Sequence, residues 1–225
     1  MSKVLIVDDD VELASIVDLM LQEAGWSTEK VHSGADALQF LTNFKFDLII
    51  LDWNLPDIAG IKICQEFRAS GGETPIMFLT GRGTTPDKEL GLDSGGDEYI
   101  TKPFDNRELL ARARAMMRRP AHLSTDMLQI NGIQLDPKGK RLIAVEKTVQ
   151  LSSTEFAIIE FLFKNAGTFY TADQLFESLW PSETESTSEV VRVHIRVLRR
   201  KLELLGLDDV IKTVRGAGYI VEQQK

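Results

Sequence analysis

Four short apolar runs in the first half of the chain each stop at a polar residue, and that rhythm constrains the fold more than any bulk property. Lys3-Val4-Leu5-Ile6-Val7 closes on Asp8-Asp9-Asp10, and Phe46 to Leu51 closes on Asp52. Pro75 to Leu79 ends at Thr80, and Glu98 to Thr101 ends at Lys102-Pro103. Brief, continuously apolar runs read as strands buried on both faces. Helix-length segments lie between them: Val11 to Ala24, stopped by Gly25, then 34–43, 60–69, 86–93 and 105–119. Strands alternating with helices imply a parallel sheet covered by helices on both sides. Chemistry in such a sheet gathers at the carboxyl ends of the strands. Asp8, Asp9, Asp52, Thr80 and Lys102 are therefore expected on one rim.

The pattern changes after Arg118-Arg119, where Pro120 cannot continue the helix. The expected division is 1–119, a linker at 120–126, and a second domain at 127–225. Seven linker residues reach at most about 25 Å, which keeps the domains close. Beyond the linker, 127–130, 133–135 and 141–145 read as alternating strands joined by Asn131-Gly132 and Lys138-Gly139 turns. Ser152-Ser153-Thr154-Glu155 opens a helix over 153–164 as a capping box. Thr171 opens a second helix to Leu179, and a third spans 189–205. The segments 210–214 and 219–221 read as a hairpin around Gly216 and Gly218.

Composition excludes several classes. With 43% apolar and 27% charged residues the chain is globular, and no apolar run is long enough to cross a membrane. Met1-Ser2 leads directly into a strand, so no signal peptide is expected. One cysteine, Cys64, and three scattered histidines (His32, His122, His194) give neither a disulfide framework nor a zinc site. A reducing, cytoplasmic compartment is expected. The net charge of −8 is uneven: residues 1–120 carry 13 Lys+Arg and 20 Asp+Glu (−7), and residues 121–225 carry 13 and 14 (−1). Two modules with different partners fit that asymmetry.

Paired carboxylates at one strand end and a third at another suit a hard cation such as Mg²⁺, which favours an incoming phosphate. Asp52 repels a phosphoryl donor unless the metal and the Lys102 ammonium offset its charge. Thr80 can donate to a phosphoryl oxygen. The set points to phosphoryl transfer onto a carboxylate. A dehalogenase-like phosphatase would want an aspartate two residues after the nucleophile, and Asn54 stands there. The chain is not expected to be an enzyme.

Val4 to Asp10, Leu51 to Asp57, Phe78-Leu79-Thr80-Gly81 and Asp97 to Phe104 together resemble the receiver domain of two-component response regulators. The resemblance implies a doubly wound, five-stranded flavodoxin/CheY-like α/β fold and phosphorylation of Asp52 by a sensor histidine kinase. It places Asp8, Asp9, Asp52 and the Asn54 backbone carbonyl around Mg²⁺, with Thr80 and Tyr99 as a switch pair beside Lys102. Ala59, Trp53 and Asn54 depart from the commoner residues at their positions. The resemblance also implies dimerisation on phosphorylation through a face carrying Lys88, Asp97, Glu98, Glu108 and Arg112, whose mixed signs suit a two-fold contact.

In the third helix of the second domain, Val191, Ile195, Leu198, Leu202 and Leu205 form a core stripe. Residues 192–201 hold Arg192, Arg196, Arg199, Arg200 and Lys201 with no acid. A helix face that is merely solvated normally interleaves acids, so phosphate contact is the better reading. Val193 and Val197 are expected to face away from the core, with Val197 against a thymine methyl. Leu151 to Phe156, Val193 to Leu202 and Thr213 to Tyr219 resemble the α+β winged helix-turn-helix effector of the OmpR/PhoB class. That implies DNA binding through Arg192, Arg196, Val197, Arg199, Arg200 and the wing's Arg215, and contact with RNA polymerase near Pro181–Ser188. The expected function is a phosphorylation-switched transcription regulator binding tandem half-sites. A scaffold with a locked receiver and a protein-binding second domain is the alternative, which the complete Asp8, Asp9, Asp52, Thr80 and Lys102 set disfavours.

Overall fold

The computed structural model describes residues 2–81, 90–117, 127–180 and 189–223. The chain divides into two compact units, Met1–Met117 and Arg118–Lys225. The expected linker at 120–126 and the Pro181–Ser188 loop lie outside the described residues.

In the first unit the elements run β1 (Lys3–Val7), α1 (Val11–Glu23), β2 (Ser27–Val31), α2 (Gly34–Asn43), β3 (Leu48–Asp52), α3 (Gly60–Ala69), β4 (Ile76–Thr80), β5 (Glu98–Thr101) and α4 (Asn106–Met117). A helical turn at 90–93 precedes β5. The strands form one sheet in the order β2-β1-β3-β4-β5, with every pairing parallel. Alternation along the strands sends side chains to two cores. Val4, Ile6, Leu48, Ile50, Met77 and Leu79 meet α1 and α4 on one face. Leu5, Val7, Ile49, Leu51, Ile76 and Phe78 meet Ala37 of α2 and Ile63 and Cys64 of α3 on the other. The chain reverses its order between β1 and β3, and at such a point the crevice beyond the strand ends is a ligand site.

The second unit begins with a four-stranded antiparallel sheet: β6 (Leu128–Ile130), β7 (Ile133–Asp136), β8 (Arg141–Ala144) and β9 (Lys147–Gln150). Helices α5 (Ser153–Lys164), α6 (Ala172–Leu179) and α7 (Glu189–Leu204) follow, then the hairpin β10 (Ile211–Val214) and β11 (Gly218–Val221). Capping boxes formed by Ser152 with Glu155 and by Thr171 with Gln174 open α5 and α6. All five stripe residues, four in α7 and Leu205 just beyond its end, join one core with Phe156, Ile159, Leu162, Leu175 and Ile211. The strand β11 is held by reciprocal backbone bonds between Tyr170 and Tyr219 (3.0 and 2.8 Å). A Cβ at Gly218, whose φ is +109°, would stand 2.2 Å from the Tyr170 carbonyl oxygen, so glycine is needed there.

Candidate functional site

Parallel register brings the strand ends level. Val7 pairs with Leu51, Asp52 with Leu79, and Thr80 with Thr101, so Asp8, Asp52, Thr80 and Lys102 stand together at one rim. Asp8 and Asp52 are 2% and 6% exposed, whereas Asp9 is open. One carboxylate oxygen from each lies within 4.8 Å of the other two. The Lys102 ammonium is 2.7 Å from Asp8 Oδ2 and 3.5 Å from Asp52 Oδ2. Asp52 Oδ1 accepts from the Trp53 N–H (2.7 Å), and Asp8 Oδ1 accepts from the Asp10 N–H (3.0 Å). Burial raises the Asp52 pKa, and Asp8 adds to the rise against the pull of Lys102. Three carboxylates facing one ammonium form an all-oxygen donor set with surplus negative charge, which fits a hard divalent cation.

The loop after β3 is fastened at both ends. The Gly60 N–H donates to the Trp53 carbonyl (2.9 Å), and a Cβ at Gly60 would stand 2.0 Å from the Asp52 carbonyl oxygen, so only glycine lets α3 start this close. The Asp57 carboxylate accepts from the Gly34 and Ala35 N–H groups (2.7 and 2.9 Å) at the start of α2, and these bonds hold its pKa below the usual carboxylate value. Sequence reasoning gave Asp57 no role. Its two partners lie more than twenty residues away, so no local signal reveals them. Asn54 is exposed in this loop. Thr80 is fully buried. Tyr99 is buried too, its ring edge-on to Trp53 (6.2 Å) and tilted against Phe78 (6.5 Å).

In the second unit Arg192, Arg196 and Arg200 are exposed along α7, and Arg215 is exposed at the turn between β10 and β11. Four-residue spacing keeps the first three cations on one helix face.

Comparison with known proteins matches both units. Residues 4–114 match the response regulator receiver domain, and residues 146–221 match the family described as transcriptional regulatory protein, C terminal. The response regulator ArlR of Staphylococcus saprophyticus is 38% identical over 223 residues, covering 99% of this chain and all of the relative. ArlR of Staphylococcus aureus is 37% identical, covering 98% of this chain and all of the relative. The chain is a response regulator of the OmpR/PhoB family. Among solved structures, a RitR variant superposes over the whole of both chains with a TM-score of 0.82 at 26% identity. DrrB, an OmpR/PhoB homologue from Thermotoga maritima, covers 99% of each chain with a TM-score of 0.54 at 30% identity. Membership makes this chain a two-component transcription regulator in which a receiver precedes a DNA-binding domain; receivers bind Mg²⁺ at an acidic pocket, and in this chain Asp8, Asp9 and Asp52 form an acidic cluster at the sheet's rim. Among the described residues no helix is long and apolar enough to cross a membrane.

Two expectations for this response regulator need correction, and a third needs an addition. First, Val197 is 3% exposed and Val193 7%, so Val197 offers no open aliphatic surface to a thymine methyl. An amphipathic helix buries an apolar arc wider than a single stripe. Second, Arg199 does not point to solvent with its neighbours. Its Nε and Nη2 donate to the Ile211 carbonyl (2.9 and 2.6 Å), and Nη2 also donates to Thr213 Oγ1 (2.6 Å). Lys201 likewise turns inward, 2.5 Å from Oε2 of the fully buried Glu155. Third, the charges expected on a dimer face also pair within the chain. Asp97 is 1% exposed and accepts from Arg68 Nη2 (2.8 Å) and the Ile76 N–H (3.0 Å). Arg112 is buried between Glu98 and Glu108, at 2.7 Å from each. Opposite charges three or four residues apart, or on adjoining elements, close on each other before any partner arrives. Lys88 lies outside the described residues.

Proposed function

We propose that this response regulator takes a phosphoryl group from the phosphohistidine of a sensor kinase onto Asp52, and that the modification controls promoter binding by its second unit. The observation that carries the reading is Asp52 itself, a buried carboxylate beside two other acids and one ammonium. Oδ2 is the nucleophile, because Oδ1 is already held by the Trp53 N–H. Its lone pair forms the O–P bond as the N–P bond of the donor breaks, and the electron pair returns to the imidazole. Asp8, Asp9, Asp52 and the Asn54 carbonyl would hold Mg²⁺, which when bound offsets charge on the phosphoryl oxygens. Lys102 is placed to follow the phosphoryl oxygen that replaces carboxylate charge, and the Thr80 hydroxyl donates to another. Drawing Thr80 toward the phosphoryl group changes the space beside Tyr99, which makes the pair the switch.

Arg192, Arg196 and Arg200 on α7, with Arg215 on the wing, meet DNA phosphates. Pairing of two phosphorylated chains sets two copies of α7 on tandem half-sites about one helical turn apart, raising affinity through effective concentration. RNA polymerase completes the set of partners. Intact-mass measurement with acetyl phosphate and Mg²⁺ tests the acceptor. Wild type should gain one phosphoryl group, lose that gain when the metal is chelated, and show none as Asp52→Asn. A gain in Asp52→Asn overturns the assignment.

A further inference from the structure

Five cations lie between residues 192 and 201, yet the structure sorts them into two groups. Arg192, Arg196 and Arg200 are exposed, while Arg199 and Lys201 are directed inward. Successive helical residues are about 100° apart, so Arg199 and Lys201, two positions apart, leave opposite flanks of α7. Lys201 reaches α5 through Glu155. Arg199 reaches β10, the first strand of the wing.

The geometry at β10 favours a positioning role over a phosphate contact. The two-stranded sheet leaves one edge of β10 without a neighbouring strand among the described residues. Three N–H groups of the Arg199 guanidinium occupy that edge, two on the Ile211 carbonyl and one on Thr213 Oγ1. A planar fork can hold a carbonyl and a hydroxyl at once, whereas an ammonium on a flexible stem cannot reproduce that geometry. The other strand, β11, is already tied to Tyr170. The hairpin is thereby gripped on both edges, and the β10 grip comes from the middle of the helix that carries the exposed cations.

We propose that Arg199 is a positioning residue for DNA binding: it fixes the wing to α7, so that Arg215 and the Arg192–Arg196–Arg200 face engage one duplex together. This rests on the reading of α7 and the wing as the DNA-contacting elements. The docking geometry is then set inside the protein, before DNA arrives, and the cost of ordering the wing is not charged to binding.

The test uses the full chain and a duplex enriched from a random-sequence library by the wild type. Failure of the wild type to enrich any duplex would count against the DNA-binding reading and leave Arg199 to the exchange measurement described below. Affinity is measured against salt for Arg199→Lys, Arg199→Gln, Arg215→Ala and the double variants. Arg215→Ala should reduce the salt slope by about 0.9, the value of one phosphate contact. Arg199→Lys should weaken binding as much as Arg215→Ala despite keeping its charge, and combining Arg199→Gln with Arg215→Ala should add nothing further. Wild-type binding by Arg199→Lys, or a further slope loss of about 0.9 in the Arg199→Gln/Arg215→Ala pair, would make Arg199 a phosphate ligand and overturn the proposal. Amide exchange on the free protein provides the second readout. Arg199→Lys, and more weakly Thr213→Val, should speed exchange within 211–221 while leaving α5 and α6 protected; unchanged exchange there also overturns it.

Discussion

At the rim of the parallel sheet, Asp8 and Asp52 are buried with a single ammonium among the described residues, Lys102, between them. In the second unit Glu155 is buried with Lys201 at 2.5 Å and the Ser152 N–H at 2.8 Å on the same oxygen. Both regions hide carboxylates, but only the second balances its charge. The rim keeps an excess of negative charge that opposes folding and suits a metal and a phosphoryl group. The Glu155–Lys201 pair closes on itself and serves α5 and α7 as scaffold. On the proposed function, buried charge marks chemistry in one unit and construction in the other, and the exposed cations of the second unit are the ones assigned to DNA.

That contrast predicts opposite responses to removing a charge. Lys201→Met leaves Glu155 buried without its counter-charge and should cost about 3 kcal/mol in denaturant unfolding of the full chain. A loss below roughly 0.5 kcal/mol, the range of ordinary surface changes, would remove the pair from the scaffold.

Arg192→Ala, Arg196→Ala and Arg200→Ala should leave stability within about 0.5 kcal/mol, as exposed positions do. Each should lower the salt slope of DNA binding by about 0.9. Destabilisation without a change in slope would place these arginines with Lys201.

The smallest effect is expected at Asp52, with the opposite sign. Its folded-state pKa is raised by burial. The associated stabilisation is therefore present below the unfolded-state pKa and lost as pH rises through the folded one. Asp52→Asn should accordingly raise the unfolding midpoint at neutral pH in metal-free buffer, with the gain shrinking as pH falls through the carboxylate range. A lower midpoint at neutral pH would show that the rim is balanced after all.

The same contrast explains what could be read from sequence. Asp8, Asp52, Thr80 and Lys102 were legible because buried parallel strands have unmistakable apolar runs and their register aligns the ends. The strand β2 was not located, because Ser27-Thr28-Glu29-Lys30-Val31 is a polar edge strand with no apolar alternation. The strand β9, Lys147–Gln150, escaped for the same reason. On α7 the cation run was visible, but the fate of each cation was not. The partners of Arg199 and Lys201 lie 12–14 residues ahead and 46 residues behind, and no pattern within the helix announces them. Glu155 was legible as the closing glutamate of a capping box, which is only one of its two tasks. Asp97, Glu98 and Arg112 offer complementary charges, but sequence gives no means of telling a partner within the chain from one on a second copy.

The central claim is that chemistry at Asp52 in the first unit governs DNA binding by the second. Its most direct test is the affinity of the full chain for an enriched duplex, measured with and without acetyl phosphate and Mg²⁺, for wild type and Asp52→Asn. The account predicts at least tenfold tighter binding by the phosphorylated wild type, about 1.4 kcal/mol, and no response from Asp52→Asn. Equal affinities for the two wild-type states, or an equal response from Asp52→Asn, would contradict it.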